Sequence, residues 1–173
     1  MLIVPQNSTC GVIPKTPLGP LALVFSSVGL TNIEYGAISD YEPAGTPFEA
    51  AAHELDAYFS GKLTRFSIKL DPHGTAFQKR VWTLLETIPY GETRSYGQLA
   101  RLLGDVNLSR AVGRVNGSNP IPIVYPCHRV IGANGHLTGY GGGIHRKETL
   151  LRLEARNTSP DLFSQFEDIQ SPS

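Results

Sequence analysis

The chain has 173 residues, 40% of them hydrophobic and 17% charged, with Lys plus Arg equal to Asp plus Glu. Such a composition belongs to a globular protein, either one compact unit or two small lobes, and excludes a disordered chain. A net charge of zero excludes a globally basic nucleic-acid binder, so any such contact must come from a local patch.

The opening MLIVPQNSTC has no basic segment and only a short apolar run, so no secretory signal is expected. Nowhere does an apolar run reach the ~18 residues of a membrane span. Gly11 to Gly36 reads as β structure: a Thr16-Pro17-Leu18-Gly19 turn, an apolar strand from Leu21 to Phe25, a Ser26-Ser27 turn and a strand near Ile33. Gly36 to Thr46 is polar and reads as loop. The spacing of Phe48, Ala51, Ala52, Leu55 and Phe59 predicts a helix from Pro47 to Ser60, with Pro in its first turn and Gly61 beyond its end. Phe66, Ile68 and Leu70 alternate in RFSIKLD, which predicts a half-buried strand. Cys10, His53 and His73 lack a second close ligand pair, so no metal site is expected among them.

The second half is helical. Thr75 and Gln78 form a capping box ahead of Phe77, Val81, Trp82, Leu85 and Ile88, and PYGE at 89–92 stops that helix. Ser95 with Gln98 forms a second capping box, opening a helix that ends at Gly104. Ser109 is an N-cap candidate for a helix from Arg110 to Asn116. Two short capped helices joined by a brief turn form a helix-turn-helix pattern. The second helix offers Arg110, Arg114, Asn116 and Ser118 as polar contacts, although two arginines also suit a solvated face.

Ile121 to Tyr125 reads as a short strand that runs into Pro126. Cys127 follows, beside His128 and Arg129. A thiolate attacks where a thiol does not, and a neighbouring base or cation supplies the difference. Adjacent side chains in an extended segment point opposite ways, so His128 needs a turn or a bridging water to serve Cys127. A histidine base needs an orienting acid, and Glu154 is the best candidate. It lies on or beside the apolar stripe of a last helix, His145 to Arg156, where a carboxylate requires a partner. Glu154 snorkelling to water is the alternative. Glycines around Tyr140 form a loop able to bring backbone N–H groups close to a flat ligand. Three activities fit these residues: a thiol acceptor acting on DNA, a cysteine hydrolase, or a DNA-binding module without chemistry.

PCHRVIG, RAVG followed by NGSNP, IPYGETRSYGQLA, LTGYGGG and LLRLE stand in this order from about Gly74 to Glu154. Together they resemble the O6-alkylguanine-DNA alkyltransferases (methylated-DNA–protein-cysteine methyltransferases). TPLG and LDAYFSGKL extend the likeness weakly into the first half. The resemblance implies an α+β fold, with a ribonuclease-H-like lobe at 1–72, a winged helix-turn-helix lobe at 73–157 and a flexible tail at 158–173. It implies irreversible, single-turnover transfer of an alkyl group from O6-alkylguanine, and from O4-alkylthymine, to Cys127.

Carried onto matching positions, His128 is a water-mediated base, Glu154 orients it, and Tyr96 donates a proton toward guanine N3. Arg110 enters the DNA in place of the flipped nucleotide, and Arg114, Ser95 and Asn116 complete the DNA-binding set. Asn119 is the hinge, the backbone of Cys127 and Val130 accepts from the guanine amino group, and Tyr140 and Gly141 line the pocket. The implied partner is double-stranded DNA with alkylated bases, bound by a cytoplasmic monomer (nuclear in a eukaryote) with no cofactor, no zinc and no membrane. Tyr125 departs from the family pattern, which has an aliphatic residue before the proline.

Overall fold

The computed structural model describes residues 8–36 and 45–158. In chain order its elements are β1 (Thr9–Ile13), β2 (Leu21–Phe25), β3 (Leu30–Tyr35), α1 (Thr46–Phe59), α2 (Ala76–Leu85), β4 (Arg94–Ser95), α3 (Tyr96–Leu102), α4 (Ser109–Gly117), β5 (Val130–Ile131) and α5 (Ile144–Thr158). Single 3-10 turns lie at Val106–Leu108 and Cys127–Arg129. Most of the expected loop from Gly36 to Thr46, and the tail beyond Thr158, lie outside the described residues. Among the described residues no helix is long and apolar enough to cross a membrane. The chain divides into two compact units. One takes in the residues up to Gly74 together with Pro120–Pro122; the other holds Thr75–Asn119 and the residues from Ile123 onward.

In the first unit β1, β2 and β3 form an antiparallel sheet in that order, with Cys10 opposite Val24 and Leu23 opposite Ile33. β2 is buried along its whole length, which is why LALVF is continuously apolar. Helix α1 packs on β1 and β2 through Ala51, Leu55 and Tyr58. Gly11 is what lets it approach, because a Cβ there would run into the Phe48 ring. Gly61, at φ 74°, ends the helix in the left-handed conformation that glycine adopts without strain.

The expected strand at RFSIKLD does not form. Burial does alternate there, with Phe66, Ile68 and Leu70 turned in. Yet the segment meets the sheet only where Leu30 donates to Lys69 O and Asp71 donates to Leu30 O, both at 2.8 Å. Farther along β3, Ile33 donates to the Pro120 carbonyl instead, so the edge is occupied before a ladder can extend.

In the second unit both capping boxes form as predicted. Thr75 Oγ1 accepts from Gln78 N and Ser95 Oγ from Gln98 N, while each Gln side chain accepts from the cap residue's own N–H. Each such cap stabilises its helix by ~1 kcal/mol. Val81, Trp82 and Leu85 of α2, Leu99 and Ala100 of α3, and Val112 and Val115 of α4 fill the core. Trp82 satisfies its indole N–H on the Val115 carbonyl at 3.3 Å. Burying side chains of this size contributes ~1.5–3 kcal/mol each. Ser109 is not the cap of α4. It is the first helical residue, and its hydroxyl donates to Val106 O at 2.7 Å. The capping chemistry sits one turn earlier, where Asp105 Oδ1 accepts from Asn107 N and starts the 3-10 turn.

Ile121 to Tyr125 is not a strand. Asn119 Nδ2 donates to the Tyr125 carbonyl at 2.8 Å, folding the segment into a turn across its own neck. Ile123 takes φ 77°, a left-handed conformation that is strained for a β-branched residue. Tyr125 stacks on Trp82, with ring centroids 6.3 Å apart and planes at 22°. Its aromatic ring thus completes the core beside Trp82, which accounts for its place before the proline.

Candidate active site

Pro126 fixes the position of the thiol. Its φ of −77° and ψ of 62° are those of an inverse γ-turn, closed by Cys127 N–H donating to Tyr125 O at 2.7 Å. Cys127 therefore opens a 3-10 turn. Cys127, His128 and Arg129 are all buried in it, and Arg129 N–H donates back to Pro126 O. The turn supplies the change of direction that an extended segment lacks. Beyond it, β5 pairs in parallel with β4, Val130 opposite Arg94 and Ile131 opposite Ser95. That small ladder places Val130 beside the start of α3, where Tyr96 stands.

Glu154 is 1% exposed and is the hub of the site. His128 Nε2 lies 2.8 Å from its Oε1. Arg129 Nε donates to both oxygens at 3.2 and 2.9 Å, Arg129 Nη2 to Oε1 at 2.9 Å, and Gly91 N–H to Oε2 at 2.9 Å. Arg129 Nη1 donates to the Ile88 carbonyl, and the guanidinium lies over the Tyr90 ring, 5.6 Å from its centroid. Burial alone would raise the Glu154 pKa. His128 and Arg129 outweigh it and hold the carboxyl well below the usual carboxylate range. Burial lowers the His128 pKa against the pull of Glu154. We therefore take the imidazole as neutral and the Glu154 charge as balanced by Arg129. The carboxylate can only accept, so His128 Nε2 carries the proton and Nδ1 is left basic.

Burial pushes the Cys127 thiol up to about 11, although Asn119 and the Lys147 ammonium pull it down. The resting group is a thiol, and a base must take its proton before sulfur attacks. Lys147 is fully buried and donates from Nζ to the carbonyls of Val130, at 2.5 Å, and Thr138, at 2.8 Å. Its own pKa is lowered to about 8, chiefly by burial. Tyr96 Oη donates to the same Thr138 carbonyl at 3.0 Å, and burial raises the phenol's pKa. Gly139 and Gly141 keep the 132–143 loop close. A Cβ on Gly139 would sit 3.3 Å from Tyr96 Oη, and one on Gly141 would sit 2.8 Å from the Gly117 carbonyl. Tyr140 is buried in that loop.

The remaining expected residues divide. Arg110 and Arg114 are exposed on α4, and Arg101 is exposed on α3. Arg94 is committed to Glu92 at 3.0 Å. Ser95 is half-buried and serves as the cap of α3. Asn116 does not lie on the polar face of α4. It is 2% exposed, because it shares a face with Val112 and Val115 at i+4 and i+1, and Nδ2 donates to the Cys127 carbonyl at 3.2 Å. Sequence reasoning missed Arg129 as the main partner of Glu154, and it missed Lys147. The signal for Lys147 was present, since it lies three and four residues before Leu150 and Leu151, on the stripe that exposed Glu154.

A helix-turn-helix pair and a buried Cys–His–Glu constellation thus share one unit, and the other unit is made of a small sheet and a helix. The class so defined is a two-lobed α+β protein whose helix-turn-helix lobe carries a reactive-cysteine site. Residues 76–156 match the DNA-binding domain of 6-O-methylguanine DNA methyltransferase, and residues 10–72 match the ribonuclease-like domain of the same protein. The chain belongs to the 6-O-methylguanine DNA methyltransferase family. A methylated-DNA–protein-cysteine methyltransferase of Mycobacterium tuberculosis is 52% identical over 154 residues, covering 85% of this chain and 93% of the relative. A Methanosarcina acetivorans protein of the same name is 46% identical, covering 81% and 94%. The crystal structure of a Mycobacterium tuberculosis OGT in complex with DNA superimposes with a TM-score of 0.79 at 49% identity, covering 90% of this chain and 98% of that one.

Proposed function

We propose that this protein repairs alkylated double-stranded DNA by moving an alkyl group from guanine O6 to Cys127, once per molecule. The single observation that carries this is the Cys127–His128–Glu154 constellation, built into the unit that holds the helix-turn-helix. The solved DNA complex of a relative supports DNA as the partner. The chemistry balances without a cofactor. His128 Nδ1 takes the thiol proton through a water, sulfur forms a bond to the alkyl carbon as the carbon–O6 bond breaks, and Tyr96 gives a proton to guanine N3. The thiol proton replaces the one Tyr96 gave, so guanine leaves neutral and a thioether stays on Cys127. A thioether offers no easy leaving route, so the protein acts once.

The target oxygen is out of reach inside a duplex, so the nucleotide must be extruded. Arg110 takes its place in the stack, with Arg114 and the Ser95 end of α3 against the backbone. Asn119 is the hinge before the thiol turn. The carbonyls of Cys127 and Val130 take the guanine amino group, and Tyr140 and Gly141 line the pocket. O4-alkylthymine is the second substrate. The lobes divide near residue 73, and the protein acts as a monomer in the cytoplasm, or in the nucleus of a eukaryote. Both cysteines are free and buried, in keeping with a reducing compartment.

The test is to incubate duplex DNA carrying O6-methylguanine with excess protein and to analyse the nucleosides. Conversion of O6-methylguanine to guanine, in an amount equal to the protein consumed, supports alkyl transfer. Binding with the lesion left intact indicates a DNA-binding module, and catalytic hydrolysis of an ester or amide indicates a hydrolase.

A further inference from the structure

Asn116 links the thiol turn to Tyr96. It projects inward from α4, and its Nδ2 donates to the Cys127 carbonyl at 3.2 Å. One turn earlier on the same face is Gly113, where a Cβ would sit 3.8 Å from Cδ1 and Cε1 of the Tyr96 ring. The ring thus lies along the face of α4 that carries Asn116, with only a glycine in the intervening turn. Burial raises the pKa of the Tyr96 phenol, and the Asn116 amide opposes it. Only a donor favours the phenolate, so the amide turns its nitrogen toward Oη. An Asn nitrogen carries two hydrogens, and Cys127 takes one of them. The phenol gives its own hydrogen to the Thr138 carbonyl at 3.0 Å, which leaves lone pairs on Oη for the second.

Resting on the alkyl-transfer function above, we infer that Asn116 is a positioning residue for the proton donor: it ties Tyr96 to the thiol turn, and its second N–H holds the phenolate that forms when Tyr96 gives its proton to guanine N3. In that step the Oη–H bond breaks and an N3–H bond forms. The electron pair stays on the phenol oxygen until the thiol proton replaces the one given. As the hydroxyl leaves Thr138 for N3, the amide hydrogen stays on its oxygen. A hydrogen bond to an ionised group is roughly twice as strong as one between neutral groups, so Asn116 favours the phenolate over the phenol. That difference lowers the barrier, whereas equal binding of both forms would not. The tie also serves geometry. O6 and N3 lie at opposite ends of the six-membered ring of guanine, so sulfur and phenol must be held about a base width apart. Asn116 acts through Tyr96 and not on the alkyl carbon.

The experiment is a double-mutant cycle on single-turnover methyl transfer from saturating duplex O6-methylguanine. Native protein, Asn116→Leu, Tyr96→Phe and the double variant are compared, with Asn116→Ser as a second, smaller replacement that also removes the amide. A first-order rate within the complex does not depend on how much of a variant is folded. Loss of the amide should slow native transfer by about tenfold, the effect of one hydrogen bond to a charged group. In the Tyr96→Phe background the same loss should change the rate by less than about twofold, because the acceptor is already gone. Transfer from O6-methyl-3-deazaguanine, which has no N3 to protonate, should be equally insensitive to Asn116. Equal losses in both backgrounds mean that Asn116 only supports the thiol turn, and they overturn the assignment while leaving alkyl transfer intact. An unchanged rate in the Asn116 variants, or in Tyr96→Phe, overturns it too. Failure of the native protein to accept a methyl group from the duplex overturns the alkyl-transfer function, and the assignment with it.

Discussion

Arg129 directs its guanidinium at Glu154 and not at Cys127, two residues before it. Both carboxylate oxygens and the Ile88 carbonyl receive its N–H groups, and the thiol receives none of them in that set. The cation thus helps keep the buried Glu154 ionised, and Glu154 in turn holds His128 by Nε2. Activation of the sulfur falls to the imidazole, and the arginine acts two steps back.

Glu154→Gln should therefore damage stability as well as rate. It leaves the Arg129 cation buried without a counter-ion, and breaking such a pair from one side costs about 3–5 kcal/mol. In a chain of this length Tm should fall by roughly 6 °C or more. Differential scanning calorimetry checks this, and the double variant Glu154→Leu with Arg129→Leu should recover part of the loss. A Tm change below about 2 °C would mean that the pair is solvated.

Stability should fall on the acid side of neutral pH. His128 has a folded pKa below its ordinary 6.5, so as pH falls below that value the unfolded chain takes up a proton that the folded one refuses, and stability drops. Glu154, also lowered, steepens the loss below about 4.5. On the alkaline side two groups oppose each other: Cys127, raised from 9.0 to about 11, lowers stability as pH rises between those values, whereas Lys147, lowered from 10.5 to about 8, raises it between those values. Urea midpoints measured across pH test both limbs. Cys127→Ala removes the first effect, so the stability of the variant relative to the native protein should rise between about pH 9 and 11, and a difference that stays constant with pH would place the alkaline dependence elsewhere.

Tyr96→Phe should separate chemistry from folding. The hydroxyl donates to the Thr138 carbonyl, but Lys147 Nζ donates there as well, so its loss strands no acceptor. Tm should stay within about 2 °C, as for substitutions that break no buried network. Methyl transfer should slow by about a hundredfold, the scale of a lost general acid. An unchanged transfer rate would remove Tyr96 from the proton path.

Arg110→Ala should distinguish extrusion from transfer. The side chain is exposed at the second residue of α4, where its loss leaves the core untouched. Transfer from duplex DNA should fall by roughly tenfold or more, since flipping costs a few kcal/mol. Reaction with free O6-methylguanine should change little. Equal losses on both substrates would contradict a role in flipping.

Local chemistry was legible in the sequence wherever a few neighbouring residues decided it. The capping boxes at Thr75 and Ser95 formed because each needs only residues three apart. Glu154 was found because a carboxylate on an apolar stripe demands a partner, and His128 is one. Arg129 was not assigned, since its direction depends on Ile88 and Glu154, far along the chain. The Ile121–Tyr125 turn was hidden for a similar reason: the Asn119 bond and the left-handed Ile123 override an extended pattern that Pro122 and Pro126 otherwise favour. RFSIKLD alternates as a strand should, but a sheet edge already taken by Pro120 cannot be read from alternation. Asn116 was placed on the DNA face by its polarity, whereas its spacing from Val112 puts it inside.

The central claim is that Cys127 is the alkyl acceptor, and peptide mass spectrometry tests it most directly. Protein is mixed with an excess of duplex DNA carrying O6-methylguanine under reducing conditions and then digested. The account predicts that the peptide holding Cys127 gains one methyl group, approaching one per protein molecule, while the peptide holding Cys10 gains none. An unmodified Cys127 in protein that has bound the lesion would contradict it.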